Sequence, residues 1–261
     1  MTQHFIVIGN PISHSKSPQI HQTFASQANI DIHYHRQYCP NDQASFVAVV
    51  QSFFNGGGIG ANVTVPFKQL AFTHCQTQGE LSEHARIAGA VNTLLIKDGT
   101  IYGDNTDGQG LVNHITSLGW SLSGARVAII GAGGAARGVI LPLIQAGVAS
   151  LTLANRTLDK AQTLIAELSA ASQTIEQHAI ETCSTTELIG QFDLIINATS
   201  IGLTDVTLPI AQGLTTHYAY DMMYGRSLPF LAQFEQHGAE VSDGYGMLIN
   251  YAALSFERWT G

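Results

Sequence analysis

Charge is scarce in this chain of 261 residues. Asp, Glu, Lys and Arg make up 11% of it, against about 25% in an average soluble domain. Basic residues are the scarcer sign: 11 Lys and Arg face 19 Asp and Glu, a formal net charge of -8. A nucleic-acid-binding domain needs basic surface to displace counterions, so that class is excluded. Docking on an anionic membrane surface is disfavoured for the same reason. No apolar run reaches about 18 residues, so no transmembrane helix is expected. The start, Met1-Thr2-Gln3-His4-Phe5, lacks the basic stretch of a signal peptide. Cysteine is limited to Cys39, Cys75 and Cys183, an odd number without metal-ligand spacing. A reduced cytoplasm fits these absences best. Repeats of solenoid length and low-complexity tracts are also lacking.

What the chain does have is apolar residues, at 45%, and glycine, at 26 residues. That composition excludes intrinsic disorder and allows a substantial core. Strand-length apolar runs alternate with helical patterns. Strands are expected at Phe5–Ile8, Ile32–Tyr38, Ile59–Val65, Val91–Ile96 and Thr100–Tyr102. The last two are joined by the turn Lys97-Asp98-Gly99. Helices are expected at Pro18–Ala28, Asp42–Phe54 with Asn41 as cap, and Gly79–Ile87. A helix from Asp107 to about Leu118 and a Gly/Ser-rich joint, Gly119 to Gly124, lead into a fresh alternation. Its strands are Arg126–Ile130, Leu151–Ala154, Asp193–Ala198 and Tyr218–Asp221. Its helices are Gly134–Ala146, Leu158–Ser169 and Pro229–His237, followed by a last amphipathic helix, Gly246–Trp259. Two such alternations predict an α/β fold with two sheets.

Arg126 to Ile130 runs into Gly131-Ala132-Gly133-Gly134-Ala135-Ala136. Strand, glycine-rich turn and helix follow in the order a dinucleotide site needs. Gly131 permits the tight turn, Gly133 lets the backbone approach a pyrophosphate, and the helix N-terminus offers N–H groups. The next strand ends in Asn155-Arg156-Thr157, with Lys160 one turn on. NAD selection would put a carboxylate there; Arg156 and Lys160 instead suit a 2′-phosphate, so NADP is the expected cofactor.

Four polar segments in the first half stand at strand ends, where α/β sheets bind ligands: Gly9 to Pro18, Asn62 to Lys68, Ala88 to Thr93, and Gly103 to Gly108. They supply hydroxyls, amides, an ammonium and a carboxylate, a set that suits a small polyhydroxylated acid. Singly, each also reads as a cap or a turn, Asp107 as an N-cap for example. Histidine is plentiful, and His33, His35 and Cys39 are the nearest cluster. No third ligand is well spaced, so no metal is expected.

These segments resemble the shikimate dehydrogenase family. So do the Gly131 loop, Asn155-Arg156-Thr157, Asn197-Ala198-Thr199, Tyr220 to Tyr224 and Asp243 to Leu248. The resemblance runs in order from about residue 6 to 254, and Asn62–Lys68 and Asn105–Gly108 are its most specific parts. It implies an N-terminal α/β substrate domain with a mostly parallel sheet, residues 1–103, joined by the C-terminal helix 246–261. A Rossmann-like NADP-binding domain would span 104–245. Lys68 and Asp107 would be the catalytic pair. Ser15 and Ser17 would hold a substrate carboxylate, and Thr64, Asn92 and Tyr224 the ring or its substituents. Gly131, Ala132, Gly133, Gly134 and Ala135 would take the pyrophosphate. Asn155, Arg156, Thr157 and Lys160 would take the adenosine ribose and its phosphate. Met222 and Gly244 would line the nicotinamide region, with Glu83 near the same end.

The implied activity is NADPH-dependent, reversible reduction of 3-dehydroshikimate to shikimate in aromatic amino acid (chorismate) biosynthesis, by a monomer or homodimer. Two departures stand out. Tyr251 occupies a substrate position where the family usually has Gln, and Lys160 stands where Arg is common. Other readings are an NAD enzyme acting on quinate, another two-domain dehydrogenase, and a cofactor sensor without catalysis. The presence of both Lys68 and Asp107 argues against the sensor.

Overall fold

Phe5, Ile6, Val7 and Ile8 are all buried. A strand with no polar alternation needs cover on both faces. In the computed structural model, which describes residues 2–201, 208 and 211–261, that cover is helical. The chain divides into two units, one of residues 1–110 and 249–261, the other of residues 111–248.

In the first unit, β1 (Gln3–Gly9) is followed by α1 (Ser17–Ala28), β2 (Ile32–Tyr38), α2 (Gln43–Asn55) and β3 (Gly60–Val63). Next come α3 (Lys68–Gln78), β4 (Glu80–Leu81), α4 (Glu83–Ala88), β5 (Thr93–Lys97) and β6 (Thr100–Asp104). The strand order is β2-β1-β3-β5-β6-β4. One face buries Ile6, Ile8, Ala61 and Val63 against Phe46, Val50, Phe67 and Ala71. The other buries Phe5, Val7 and Tyr34 against Ala25, Phe256 and Trp259. The last two belong to α10 (Tyr245–Thr260), whose C-terminal part therefore completes this core. Gly60 has no room for a side chain, because a Cβ there would run into the Trp259 indole.

The second unit is built from an all-parallel sheet, order β12-β11-β10-β7-β8-β9. Its strands are β7 (Arg126–Ile130), β8 (Ser150–Asn155), β9 (Ile180–Ser184), β10 (Gly190–Asn197), β11 (Leu214–Asp221) and β12 (Glu240–Ser242). Its helices include α6 (Gly134–Gln145), α7 (Leu158–Ala171), α8 (Gln173–Glu176) and α9 (Pro229–Glu235). Helix α5 (Asp107–Ser117) crosses the boundary between the units in the chain, as α10 does. None of the helices among the described residues is long and apolar enough to cross a membrane.

Two local expectations need correction. Asp42, not Asn41, caps α2, because its Oδ1 accepts from Ser45 N at 2.8 Å. Gly79–Ile87 is not one helix. Gly79 lies against the Ile101 carbonyl, so the chain there pairs with β6 as β4. Ser82 then caps a new helix by accepting from Ala85 N at 3.0 Å. The preceding helix, α3, was not expected; its sequence, KQLAFTHCQTQ, has only a thin apolar stripe.

His21 is fully buried on α1 and stacks on Tyr34 with ring centroids 4.5 Å apart. Burial pushes its pKa down to about 3, which the hydrogen bond to Asn62 only partly offsets. The unfolded chain therefore takes up a proton below about pH 6.5 that the folded chain refuses until about pH 3. Stability from this group is full above that window and falls with acid, by about 1.4 kcal/mol per pH unit. Urea unfolding between pH 7 and 4 should lose stability more steeply in the parent than in His21→Gln. Equal slopes would contradict the assignment.

Candidate active site

Strand direction gathers the four polar segments at one end of the first sheet. β1 ends at Gly9, β3 at Val63 and β6 at Asp104. β5 runs antiparallel to β3 and β6, so it begins at this end, with Asn62, Thr93 and Asp104 in register. Asn92, one residue before β5, is buried there.

The orientation of Asn92 is forced. Thr106 N, which can only donate, reaches Asn92 Oδ1 at 3.0 Å. Asn92 Nδ2 must then point the other way, where it donates to Asp107 Oδ1 at 2.8 Å and to Thr106 Oγ1 at 3.0 Å. The second oxygen of Asp107, Oδ2, accepts from Lys68 Nζ at 2.6 Å. Asp107 N is in turn held by Asn105 Oδ1 at 3.1 Å. Both carboxylate oxygens of Asp107 have a fixed donor, and Lys68 keeps further N–H groups for a ligand. The pair is partly open, with side chains 32% and 19% exposed. Lys68 opens α3 and its carbonyl accepts from Val91 N at 2.9 Å, which ties the third segment to the second.

Beneath this pair lies a second buried amide. Asn62 Nδ2 donates to the Asn92 carbonyl at 3.2 Å and to Ser255 Oγ at 3.1 Å. Asn62 Oδ1 accepts from Tyr34 Oη at 2.8 Å and from His21 Nε2 at 3.1 Å. His21 must donate there, since that oxygen has no proton to give. Burial raises the Tyr34 phenol, and a hydrogen bond from Ser17 partly offsets the rise. The network thus reaches the Ser15–Ser17 loop, where Ser15 Oγ lies 3.2 Å from Ser17 Oγ. Thr64 stands beside Gly9, where a Cβ would meet its methyl group. Tyr251 lies on α10, and its carbonyl accepts from Thr106 Oγ1 at 3.1 Å.

In the second unit Gly131 has φ +114 and adjoins Thr199. Ala132 N donates to Asn155 Oδ1 at 3.2 Å, which ties the glycine turn to the end of β8. α6 starts without a side-chain cap, and Cβ atoms on Gly133 and Gly134 would find nothing within 4 Å. An uncapped, uncrowded helix start is an anion cradle. Arg156, Thr157 and Lys160 are exposed at the start of α7. Met222 N donates to the Asn197 carbonyl at 3.0 Å, and Met223 N to Asp221 Oδ1 at 2.9 Å. Asn197 Nδ2 donates to Asp221 Oδ2 at 2.8 Å; burial nevertheless pushes the Asp221 carboxyl up. Gly244 packs against the Met222 backbone, with its N donating to the Met223 carbonyl at 2.9 Å.

Ser15, Ser17, Thr64, Lys68, Asn92, Asp107 and Tyr251 thus all belong to the first unit, together with Glu83, exposed in the first turn of α4. Tyr224, Met222, Gly244 and the glycine turn belong to the second. His33 and His35 have ring centroids 5.2 Å apart, and Cys39 is buried. Among the described residues, no three His, Cys, Asp or Glu side chains converge on a metal position. The sequence expectations gave no role to His21, Tyr34, Arg36 or Ser255. The available signal was a polar residue on an apolar helix face, as at His21 and Ser255.

The family model for the shikimate dehydrogenase substrate binding domain matches residues 7–94. That for shikimate / quinate 5-dehydrogenase matches residues 111–207. A protein of Psychrobacter cryohalolentis named shikimate dehydrogenase (NADP(+)) is 65% identical over all of this chain and 94% of its own length. Among solved structures, an Ael1 enzyme from Pseudomonas putida superposes with TM-score 0.89 at 38% identity, covering 99% of this chain and 93% of the other. Shikimate 5-dehydrogenase from Thermus thermophilus, in complex with NADP(H) and shikimate, gives TM-score 0.81 at 29% identity, covering 99% and 94%.

Replacing Asn92 by Asp keeps the shape and the acceptor for Thr106 N but sets a second carboxylate against Asp107 Oδ1. Two adjacent carboxylates raise one pKa, so the folded state loses stability above the ordinary Asp range. The expected cost is on the order of 1–3 kcal/mol at pH 7, shrinking towards pH 4. Urea unfolding at the two pH values measures it; a variant as stable as the parent at pH 7 would count against the forced orientation.

Proposed function

The chain belongs to the shikimate dehydrogenase family and is an NADP-dependent oxidoreductase; from that premise we propose that it interconverts 3-dehydroshikimate and shikimate with Lys68 and Asp107 as its reacting pair. The observation that carries the assignment is the Lys68–Asp107 contact at 2.6 Å, partly open to ligand and oriented by Asn92. Bound NADPH supplies the hydride; the protein binds, orients and polarises. In the reducing direction negative charge develops on the substrate carbonyl oxygen. Lys68 Nζ donates a hydrogen bond to that oxygen and stabilises it, as a preset donor costs little reorganisation, and the proton that completes the hydroxyl comes from the Lys68–Asp107 pair. Asp107 fixes the direction of the ammonium and accepts from a neighbouring substrate hydroxyl.

Ser15 and Ser17 take the carboxylate as neutral donors. Thr64, Tyr224 and Tyr251 contact the ring or its substituents, and Asn92, whose amide donates to Asp107 and Thr106, acts on the substrate through Asp107. Tyr251 reaches further than the Gln usual in the family and offers a hydroxyl in place of an amide. NADP fits the second unit's own features. The uncapped start of α6, with its two uncrowded glycines, suits the pyrophosphate. Arg156, with no ion-pair partner among the described residues, suits a 2′-phosphate, with Lys160 adding charge and Asn155 and Thr157 flanking the ribose. Met222 and Gly244 line the nicotinamide region, with Glu83 near that end. We place the reaction in aromatic amino acid biosynthesis and the protein in a reducing cytoplasm, consistent with three free cysteines.

Lys68→Ala should lower kcat by about 10²- to 10⁴-fold in a spectrophotometric assay with shikimate and NADP, the range of a lost acid–base or polarising group. Near-normal turnover would remove Lys68 from the mechanism. Arg156→Ala should weaken NADP binding by roughly 10- to 100-fold, the cost of a charge-assisted hydrogen bond, while NAD binding stays as it was. Fluorescence titration with both cofactors reads the ratio, and an unchanged preference would assign the 2′-phosphate elsewhere.

A further inference from the structure

The Ser15–Ser17 loop has a cation behind it that the proposed mechanism does not use. Arg36 lies on β2, the edge strand, with a half-buried side chain. Its Nε and Nη2 both donate to the Ser15 carbonyl, at 2.9 and 2.6 Å. Nη2 also reaches Gln19 Oε1 at 3.2 Å. Ser15 is held at two further points: its N donates to the Ile12 carbonyl at 3.1 Å, and its Oγ accepts from Ser17 N at 3.3 Å.

A guanidinium fork matches a carboxylate, and one drawn out of bulk water ordinarily finds one. Here the fork is spent on a neutral carbonyl. The ion pairs among the described residues are Lys68–Asp107, Arg137–Glu167 and Arg258–Asp104, so no carboxylate neutralises Arg36. Serine hydroxyls by themselves donate to neutral and anionic oxygens alike. An unneutralised positive charge behind them favours the anion, and a half-buried charge is screened less than an exposed one. The fork also fixes backbone. Because the peptide is planar and trans, holding the Ser15 carbonyl sets the direction of Lys16 N–H, opposite to Arg36.

We propose that Arg36 is the positioning residue that makes the Ser15–Ser17 loop selective for a carboxylate, both by pinning the Ser15 carbonyl and by lending the loop its charge. The proposal rests on the assignment of those serines to the substrate carboxylate. It differs from the part played by Lys68: Arg36 acts on binding of the acid group and leaves the reacting oxygen untouched.

Steady-state kinetics of the full chain with saturating NADP test it, using shikimate and its neutral methyl ester. Arg36→Gln should raise KM for shikimate by about tenfold, as loss of a charge-assisted contact does, with kcat nearly unchanged. KM for the ester, already high in the parent, should rise much less, because only the loss of the pinned carbonyl acts on a neutral group. Arg36→Lys, which keeps charge but not the fork, should recover part of the loss. Equal KM increases for acid and ester would reduce Arg36 to loop support and overturn the proposal, as would no change for either. Ser15→Ala separates the two levels. If it raises KM for shikimate while Arg36→Gln does not, only the role of Arg36 falls. If Ser15→Ala leaves KM unchanged, the serine assignment falls and takes the proposal with it. The retained kcat reports that the Arg36 variants are folded, and an unchanged thermal unfolding midpoint reports it for Ser15→Ala.

Discussion

Much in the first unit follows from which way one buried amide faces. Asn92 has a pure donor, Thr106 N, on one side and a carboxylate, Asp107, on the other. Turned around, it would put two donors together and two acceptors together in a place shielded from water. Burying such unsatisfied groups costs about 1–3 kcal/mol each, so only one orientation is compatible with folding. That orientation aims a donor at Asp107 Oδ1 and leaves Oδ2 for Lys68. The geometry of the candidate catalytic pair is therefore a by-product of hydrogen-bond satisfaction in the core. The antiparallel β5 makes it possible, because a parallel strand would begin at the far end of the sheet and carry Asn92 away from Asp107.

The scarcity of charge takes on meaning at the level of individual groups. Bulk charge of -8 excludes basic-surface functions but says nothing about how two anionic ligands would be held. In the proposed function the answer is local. One anion would meet the uncapped start of α6, where backbone N–H groups act without any formal charge. The other would meet two neutral serines, with Arg36 behind them. A low count of basic residues would suffice because Arg36 and Arg156 are in none of the ion pairs among the described residues, and surface ion pairs contribute little to stability in any case. Lys68, Arg137 and Arg258 are paired among the described residues, and in the proposed function the Lys68–Asp107 pairing belongs to the chemistry.

What could be read from the sequence was what is local. The turn Gly131–Gly134 is encoded within a dozen residues, strand to helix, and the structure has β7 and α6 where the pattern puts them. The polar segments were visible because they sit at strand ends. Three kinds of feature were not visible. Helix α3 has too little amphipathic contrast, since polar Gln and Thr interrupt its apolar stripe. Strands β9 and β12 are sheet edges, half exposed and short, so they lack the apolar run that marks a central strand. The third kind is long-range pairing. Asn62 and Ser255 meet across 193 positions and Arg36 meets Ser15 across 21; neither spacing is a period of any regular element. A polar residue destined for a buried network looks, in one dimension, like a solvated one.

The C-terminal helix shows why the fold and the site cannot be separated here. Ser255 Oγ lies 2.8 Å from Thr93 Oγ1 and accepts from Asn62. Arg258 Nε donates to the buried Asp104 at 2.5 Å, and Asp104 Oδ1 also accepts from Ser82 Oγ and Asn105 N. Trp259 fills the space that Gly60 leaves open and donates to the Leu94 carbonyl at 3.1 Å. On successive turns, one helix therefore fixes the amide beneath the candidate site, the carboxylate that leads into Asn105 and Asp107, and the packing of β3. The strands of the first unit carry the polar groups, but their partners arrive 154 to 193 residues later in the chain. Until α10 docks, Asn62 and Asp104 would be polar groups short of partners in a forming core, a state that burial penalises. Ordering of the site and completion of the first unit's core are thus one event, and the residues that hold Lys68 and Asp107 in place are in large part those that hold the unit together.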